Sequence, residues 1–242
     1  MICTATQWTW LRELRRVEIE GSFTDKTGDV ETLLVVLSGT FDILAGGGSW
    51  LARGVRTSPF QGKPVALFLP PNTRFSLDKG EGRCLLVSSL QPIRESVPEE
   101  AASISPLLPL AGSGKAYDPA TGEWKREEDF PSAAEAILPR RIEEFEEQGA
   151  IVRRVFPFAY KALSLSLEEV VLPAGTTYSL PTLPDGAHYP VEIGLYYDAP
   201  GGLTVDDTLV EGEGFLEDVA PHAGFMAGTE DAYLSLVFAG SK

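Results

Sequence analysis

The chain has 242 residues, 43% of them hydrophobic and 23% charged, with Lys+Arg 20 against Asp+Glu 35 and a net charge of −15. This hydrophobic share excludes a disordered chain, because only a poor supply of apolar side chains leaves the entropy of ordering without an offset. The acidic excess repels phosphate backbones and anionic bilayers, so neither nucleic acid nor a membrane surface is expected as a partner.

The length suits one large domain or two of ordinary size. No run approaches the roughly 18 apolar residues that a membrane span needs. The start, Met1 to Gln7, lacks a basic segment followed by an apolar one, which predicts no signal peptide. Cys3 and Cys84 are the only cysteines and form no CxxC pair. Two reduced thiols in a cytoplasmic protein are expected, and a thiolate zinc site is not.

In chain order, Trp10–Arg16 reads as helix-like. Glu18–Thr24 alternates and runs into a turn over Asp25–Asp29. Thr32–Leu37 is an apolar, β-branched run closed by Ser38-Gly39, and Thr40–Leu44 alternates up to Gly46-Gly47-Gly48, which reads as a hairpin turn. Val65–Leu69, Thr73–Leu77 and Arg83–Ser88 complete a series of short strands separated by Gly, Pro, Asn and Asp, the pattern of a sandwich or barrel.

From Pro92 the composition changes to Pro, Ser, Ala and Gly, then to the charge run Glu123–Asp129, which reads as a solvated surface. Ser132–Leu138 and Arg140–Glu147 read as short helices stopped by Pro139 and Gly149. A connector over residues 95–148 therefore separates a first domain, 1–94, from a second, 149–242. Strand patterns resume with Ile151–Phe156, the long alternating run Ala162–Leu172, Val191–Tyr197, Leu203–Val205, Gly214–Leu216 and Tyr233–Phe238. No phosphate-binding glycine loop, GxSxG elbow or HExxH is present.

His188 and His222 are the only histidines. Glu192 stands four residues after His188 at the opening of an apolar strand, and His222 follows Ala220-Pro221 at a turn. Two imidazoles and a carboxylate on neighbouring strands can occupy one face of a metal and leave positions for substrate. From spacing alone, ordinary turn residues explain them better than a metal site does.

An ordered set of segments resembles the bicupin isomerases that act on 5-deoxy-glucuronate and on 5-keto-4-deoxyuronate in inositol and pectin catabolism. The set comprises Glu31–Ile43, Arg56–Phe60, Ala66–Thr73, Gly149, Arg153–Val155, Leu172–Gly175, Glu192–Tyr197, Pro221-His222, Ala227-Gly228 and Tyr233–Gly240. The resemblance implies an all-β chain of two cupin (jelly-roll) barrels. It also implies a metal site in the second barrel and none in the first, which has no histidine.

The family pattern is a Pro-rich turn, a His-x-His pair, a Glu and a later His. Glu192 matches the Glu and His222 the last His. Either His188 is the second His with Gly186 in place of the first, or Asp185 and Ala187 stand at the two positions. The implied ligands are thus His188, Glu192 and His222, with Asp185 as a substitute, holding zinc, manganese or iron. Loss of the metal is the other outcome.

The implied reaction moves a carbonyl along an open-chain sugar acid through an enediolate. Arg153, Arg154 and Lys161 are candidates for the substrate carboxylate, and Tyr178, Tyr196 and Tyr197 for the sugar pocket. No general base can be named. A small sugar acid is the expected partner, and a homo-oligomer is compatible with this fold. Two other readings stand beside the isomerase: a sugar- or small-acid-binding bicupin that has lost catalysis, and a cupin using the two histidines and one carboxylate for different metal chemistry.

Overall fold

The computed structural model describes residues 2–3, 8–92, 115–118, 123–126, 134–157, 165–180, 191–217 and 219–240. Strands β1 (Ile2–Cys3), β2 (Leu11–Lys26), β3 (Val30–Gly39), β4 (Phe41–Ala45), β5 (Gly48–Arg53), β6 (Ala66–Leu69) and β7 (Arg74–Pro92) lead through the small hairpin β8 (Lys115–Asp118) and β9 (Glu123–Arg126) to β10 (Glu135–Ile137). Then come β11 (Glu143–Glu147), β12 (Ala150–Phe156), β13 (Leu165–Leu172), β14 (Thr177–Ser179), β15 (Val191–Val205), β16 (Thr208–Leu216), β17 (Gly224–Ala227) and β18 (Ala232–Gly240). β1–β7 with β10 form one antiparallel eight-stranded sheet, and β11–β18 form the other. No helix among the described residues is long and apolar enough to cross a membrane.

Strand alternation sorts the apolar side chains into three cores. Leu34, Val36, Phe41, Ile43, Leu67, Phe75, Leu77, Cys84 and Leu86 fill the first barrel. Val170, Leu172, Tyr178, Ile193, Leu195, Tyr197, Phe225, Leu234 and Leu236 fill the second. The residues between them in sequence point the other way: Leu33, Val35, Leu85 and Val87 meet Leu167, Val171, Tyr196, Tyr233 and Val237 in a third core that joins the barrels. Gly194 permits the closest approach, since a Cβ there would lie 2.7 Å from Leu14 Cδ1 and 2.8 Å from Leu11 Cδ2.

The joining core encloses an ion cluster. Arg56, in the loop after β5, donates Nη1 and Nη2 to the two carboxylate oxygens of Glu169 on β13 at 3.0 and 2.7 Å, and its Nε to Val36 O at 2.9 Å. Tyr233 donates its hydroxyl to Glu169 at 2.7 Å, and Arg153 Nη1 stands 3.5 Å from the same carboxylate. Burial pushes the Tyr233 phenol well above its ordinary range, and the adjacent Glu169 charge adds to it.

Three local expectations are corrected. Trp10–Arg16 is the start of β2, with no helix. A β-bulge between Leu11 and Glu13 lets Leu11 and Leu14, three residues apart, face the same core, which imitates helical spacing. Arg140–Glu147 is a 3-10 turn over Pro139–Arg141 followed by β11, whose acids pair across to β12 as Glu143↔Arg154 and Glu144↔Arg153. Gln148 and Gly149, at φ 53° and 78°, make the two-residue hairpin turn, so Gly149 turns a hairpin and stops no helix. Within Ser132–Leu138, the described part forms β10, which pairs Glu135↔Phe68 and Ile137↔Ala66. The expected connector thus lends one strand to each barrel.

Gly46 and Gly47, at φ 52° and 82°, turn the β4–β5 hairpin as expected. Two pairs of expected strands are continuous: Thr73–Leu77 with Arg83–Ser88 as β7, and Val191–Tyr197 with Leu203–Val205 as β15. Cys84 is a free, buried thiol, pushed up to about 12 by burial.

Candidate functional site: the lumen of the second barrel

Asp185, His188 and Lys161 lie outside the described residues. The flanks of the 181–190 segment are fixed: Leu180 N–H donates to Ala223 O at 3.0 Å, and Val219 N–H donates to Ile193 O at 3.2 Å. Both ends are therefore held beside the turn that carries His222, and His222 itself is exposed.

Glu192 points elsewhere. On β15, Ile193, Leu195 and Tyr197 face the second lumen, so Glu192 shares the opposite face with Gly194 and Tyr196. Its Oε1 accepts the backbone N–H of Thr9, and its Oε2 accepts those of Trp10 at 2.8 Å and Leu11 at 3.0 Å. The carboxylate clamps the entry to β2 onto β15. No group of three or more His, Cys, Asp or Glu able to hold a metal occurs among the described residues. With the Glu192 carboxylate held by three backbone N–H groups on the other face of β15, the described part of the expected set does not fit a divalent ion.

The expected substrate residues divide between two places. Arg153 is buried between the barrels, with Nε on Glu144 at 2.7 Å and Nη1 on Pro59 O at 3.2 Å, so it faces the joining core. Tyr196 is also in that core, donating its hydroxyl to Glu213. Tyr178 and Tyr197 face the second lumen.

The same lumen receives two residues that the sequence reading passed over. β13 turns Leu167, Glu169 and Val171 toward the joining core, so Ser166, Glu168, Val170 and Leu172 face inward. Their cross-strand partners agree: Ser166 lies opposite Phe238, and Glu168 opposite Leu236. Ser166 Oγ and Tyr178 Oη are buried with no hydrogen-bond partner among the described residues.

Glu168 is 6% exposed and accepts Arg154 Nε at 3.2 Å. Burial raises its carboxyl above the usual carboxylate range, and Arg154 only partly opposes this. Tyr178 is raised by burial first and by the Glu168 and Glu147 charges next. Arg154 stands at the rim, its guanidinium 4.8 Å over the Phe145 ring and 3.4 Å from Glu143. The signal in the sequence was the run Ser164, Ser166, Glu168 on one side of an alternating strand. Alternation alone reads such a side as solvent-facing, whereas here both faces are covered.

The model of the KduI/IolB family matches residues 7–105. No curated protein matches the chain. Among solved structures, an IolB-like protein from Salmonella typhimurium LT2 has a TM-score of 0.66 at 18% identity, covering 99% of this chain and 92% of its own.

The chain is a bicupin resembling the KduI/IolB family. Two further structures share the fold. A quercetin 2,3-dioxygenase from Acinetobacter baumannii has a TM-score of 0.57 at 12% identity, covering 96% of this chain and 75% of its own. An oxalate decarboxylase variant from Bacillus subtilis has a TM-score of 0.56 at 13% identity, covering 95% and 69%. At such identities these likenesses speak for the architecture alone.

Proposed function

We propose that this bicupin is a sugar-acid isomerase, interconverting an aldose and a ketose form through an enediol, with the second lumen as its reaction chamber. The resemblance to the KduI/IolB family supports the reaction class. The observation that carries the site is Glu168: a carboxyl buried on the lumen face of β13 and raised above its usual range, on the face that carries Ser166 and near Tyr178, whose hydroxyls have no partner among the described residues.

The chemistry needs a group that takes a proton from the carbon next to a carbonyl and returns it to the neighbouring carbon. A carboxyl raised by burial is a stronger base once ionised, and a raised value brings it closer to working pH. In this proposal Glu168 moves the proton. Tyr178 Oη and Ser166 Oγ donate to the oxygens that gain charge in the enediolate, and in a dry chamber such donors count for more than in water. Arg154 at the rim faces the substrate carboxylate and exchanges its pairing with Glu168 for it. Because the described donors do not fit a metal, no step is assigned to one.

Glu192 favours a second reading, in which the chain binds a sugar acid without turning it over. Its carboxylate, the family-matched ligand, is spent on backbone N–H groups. One experiment separates the two. The protein is incubated with 5-deoxy-glucuronate or 5-keto-4-deoxyuronate in D2O and followed by proton NMR. Isomerisation with deuterium entering next to the carbonyl, lost in Glu168→Gln, supports the enzyme. Binding without exchange supports the second reading.

A further inference from the structure

The first barrel is apolar inside except at one end. On β2, Val17 and Ile19 face the first core and Leu14 the joining core, so Glu13 and Arg15 point into the first barrel. Beyond the bulge at Gly21, Phe23 and Asp25 point inward too, opposite Leu77 and Phe75 of β7. Cross-strand register adds Ser88 and Thr32 to the row of Glu13, next to the row of Arg15, Leu86 and Leu34. Glu13, Arg15, Asp25, Thr32 and Ser88 thus share one face, and they line a cavity of about 270 Å³ whose apolar wall includes Phe75 and Leu86. Lys26 borders it from the other face of β2.

The inward charges are one guanidinium between two carboxylates. Arg15 donates Nη2 to Asp25 and lies 5.9 Å from the Phe23 ring centre. Its Nε stands 3.1 Å from Glu13 Oε1, yet this buried atom makes no hydrogen bond among the described residues. Thr32 Oγ1 and Ser88 Oγ are 3.0 Å apart, so one donates to the other and the accepting hydroxyl keeps its own proton to donate. Each carboxylate also has more lone pairs than one guanidinium contact uses. Donors and acceptors are therefore left over together, in a space with an apolar wall. An anion here meets Glu13 and Asp25, and a bare cation meets Arg15. A neutral molecule carrying several hydroxyls meets neither cost.

We propose that the mouth of the first barrel is a separate binding site for a neutral monosaccharide. Its hydroxyls donate to Glu13 and Asp25 and accept from Arg15 and from the Thr32–Ser88 pair, and its C–H face lies on Phe75 and Leu86. Hydrogen bonds to the charged groups are the strong ones in this set. The cavity falls just short of the ~300–1,000 Å³ of sites for drug-sized ligands, which limits the occupant to a single ring. The site shares no residue with the second lumen and stands whether or not catalysis occurs there.

The test is titration of the full chain, followed by ligand-observed NMR, with glucose, galactose and mannose and with the uronate of each. At least one neutral sugar should bind saturably, and about fivefold or more tighter than its own uronate, whose carboxylate would lie against like charge. Asp25→Asn keeps the shape of a half-exposed side chain and should weaken the neutral sugar by about tenfold, as loss of a charge-assisted contact does. It should also narrow the gap to the uronate, which a purely structural role of Asp25 would not do. Thr32→Val, nearly isosteric, should weaken the sugar independently. Glu168→Gln should leave this binding intact, which keeps the site distinct from the isomerase proposal. Four results would overturn the site: no saturable binding of any of the three sugars, a uronate bound as tightly as its parent, unchanged affinity in both mouth variants, or binding lost in Glu168→Gln.

Discussion

The Glu169 carboxylate is the pivot of the contact between the barrels, and Glu169→Gln removes its charge while keeping its shape. Glu169 is 0% and Arg56 3% exposed at their side chains, so no water can replace the lost partner. The substitution leaves two guanidiniums, Arg56 and Arg153, in a dry interface with Glu144 near only the second of them. Breaking a buried pair from one side costs about 3–5 kcal/mol, because the remaining charge is stranded. For a chain of this size each kcal/mol moves the melting midpoint by roughly 2–4 °C, so a fall of about 10–15 °C is expected. Differential scanning calorimetry at neutral pH measures it, with Lys79→Gln as control. Lys79 pairs with Asp42 from an 80% exposed position and should leave the midpoint essentially unchanged. A fall of less than about 3 °C for Glu169→Gln would refute the view that this pair holds the barrels together.

Three further outcomes are expected. Cys84, buried and raised to about 12, should resist thiol reagents at pH 8 in a Cys3→Ser background until the protein unfolds; rapid labelling of the native protein would contradict its burial. Glu168 is raised in the folded state, so the protein binds that proton more tightly folded than unfolded, and its contribution is present at acid pH and lost as pH rises through the folded value. Glu168→Gln should therefore gain stability relative to wild type between acid and pH 8, read from denaturation at both. Gly194→Ala places a Cβ against Leu11 and Leu14 and should cost about 1–3 kcal/mol by overpacking, read in the same way.

Much of the fold was legible because short apolar, β-branched runs bounded by Gly and Pro read as strands even where both faces are buried. Thr32–Leu37, Val65–Leu69 and Tyr233–Phe238 are strands in the structure as in the sequence, and the Gly46-Gly47 turn needs φ angles that glycine adopts freely. Trp10–Arg16 misled because a bulge, invisible in the sequence, gives a strand the spacing of a helix. Arg140–Glu147 misled because its acids are explained only by the arginines of β12 opposite them.

The side-chain directions around the candidate site were not legible in the sequence. Glu192 keeps the family register, yet in a strand a single position decides the face, and here Ile193 points into the lumen. Arg153 sits among strand charges that look solvated until the other barrel covers them. Tyr178 faces the second lumen, while Glu168 near it resembled an outward charge in the sequence. Only the two-barrel packing reveals that β13 has no outward face.

Proton exchange at the substrate carbon tests the isomerase proposal most directly. Wild-type protein and Glu168→Gln are each incubated with 5-deoxy-glucuronate and with 5-keto-4-deoxyuronate in D2O, and deuterium next to the carbonyl is followed by NMR. Exchange and isomerisation by the wild type, with both lost in Glu168→Gln while circular dichroism is unchanged, is the expected result. No exchange by the wild type on either compound, or equal exchange by the variant, would contradict it.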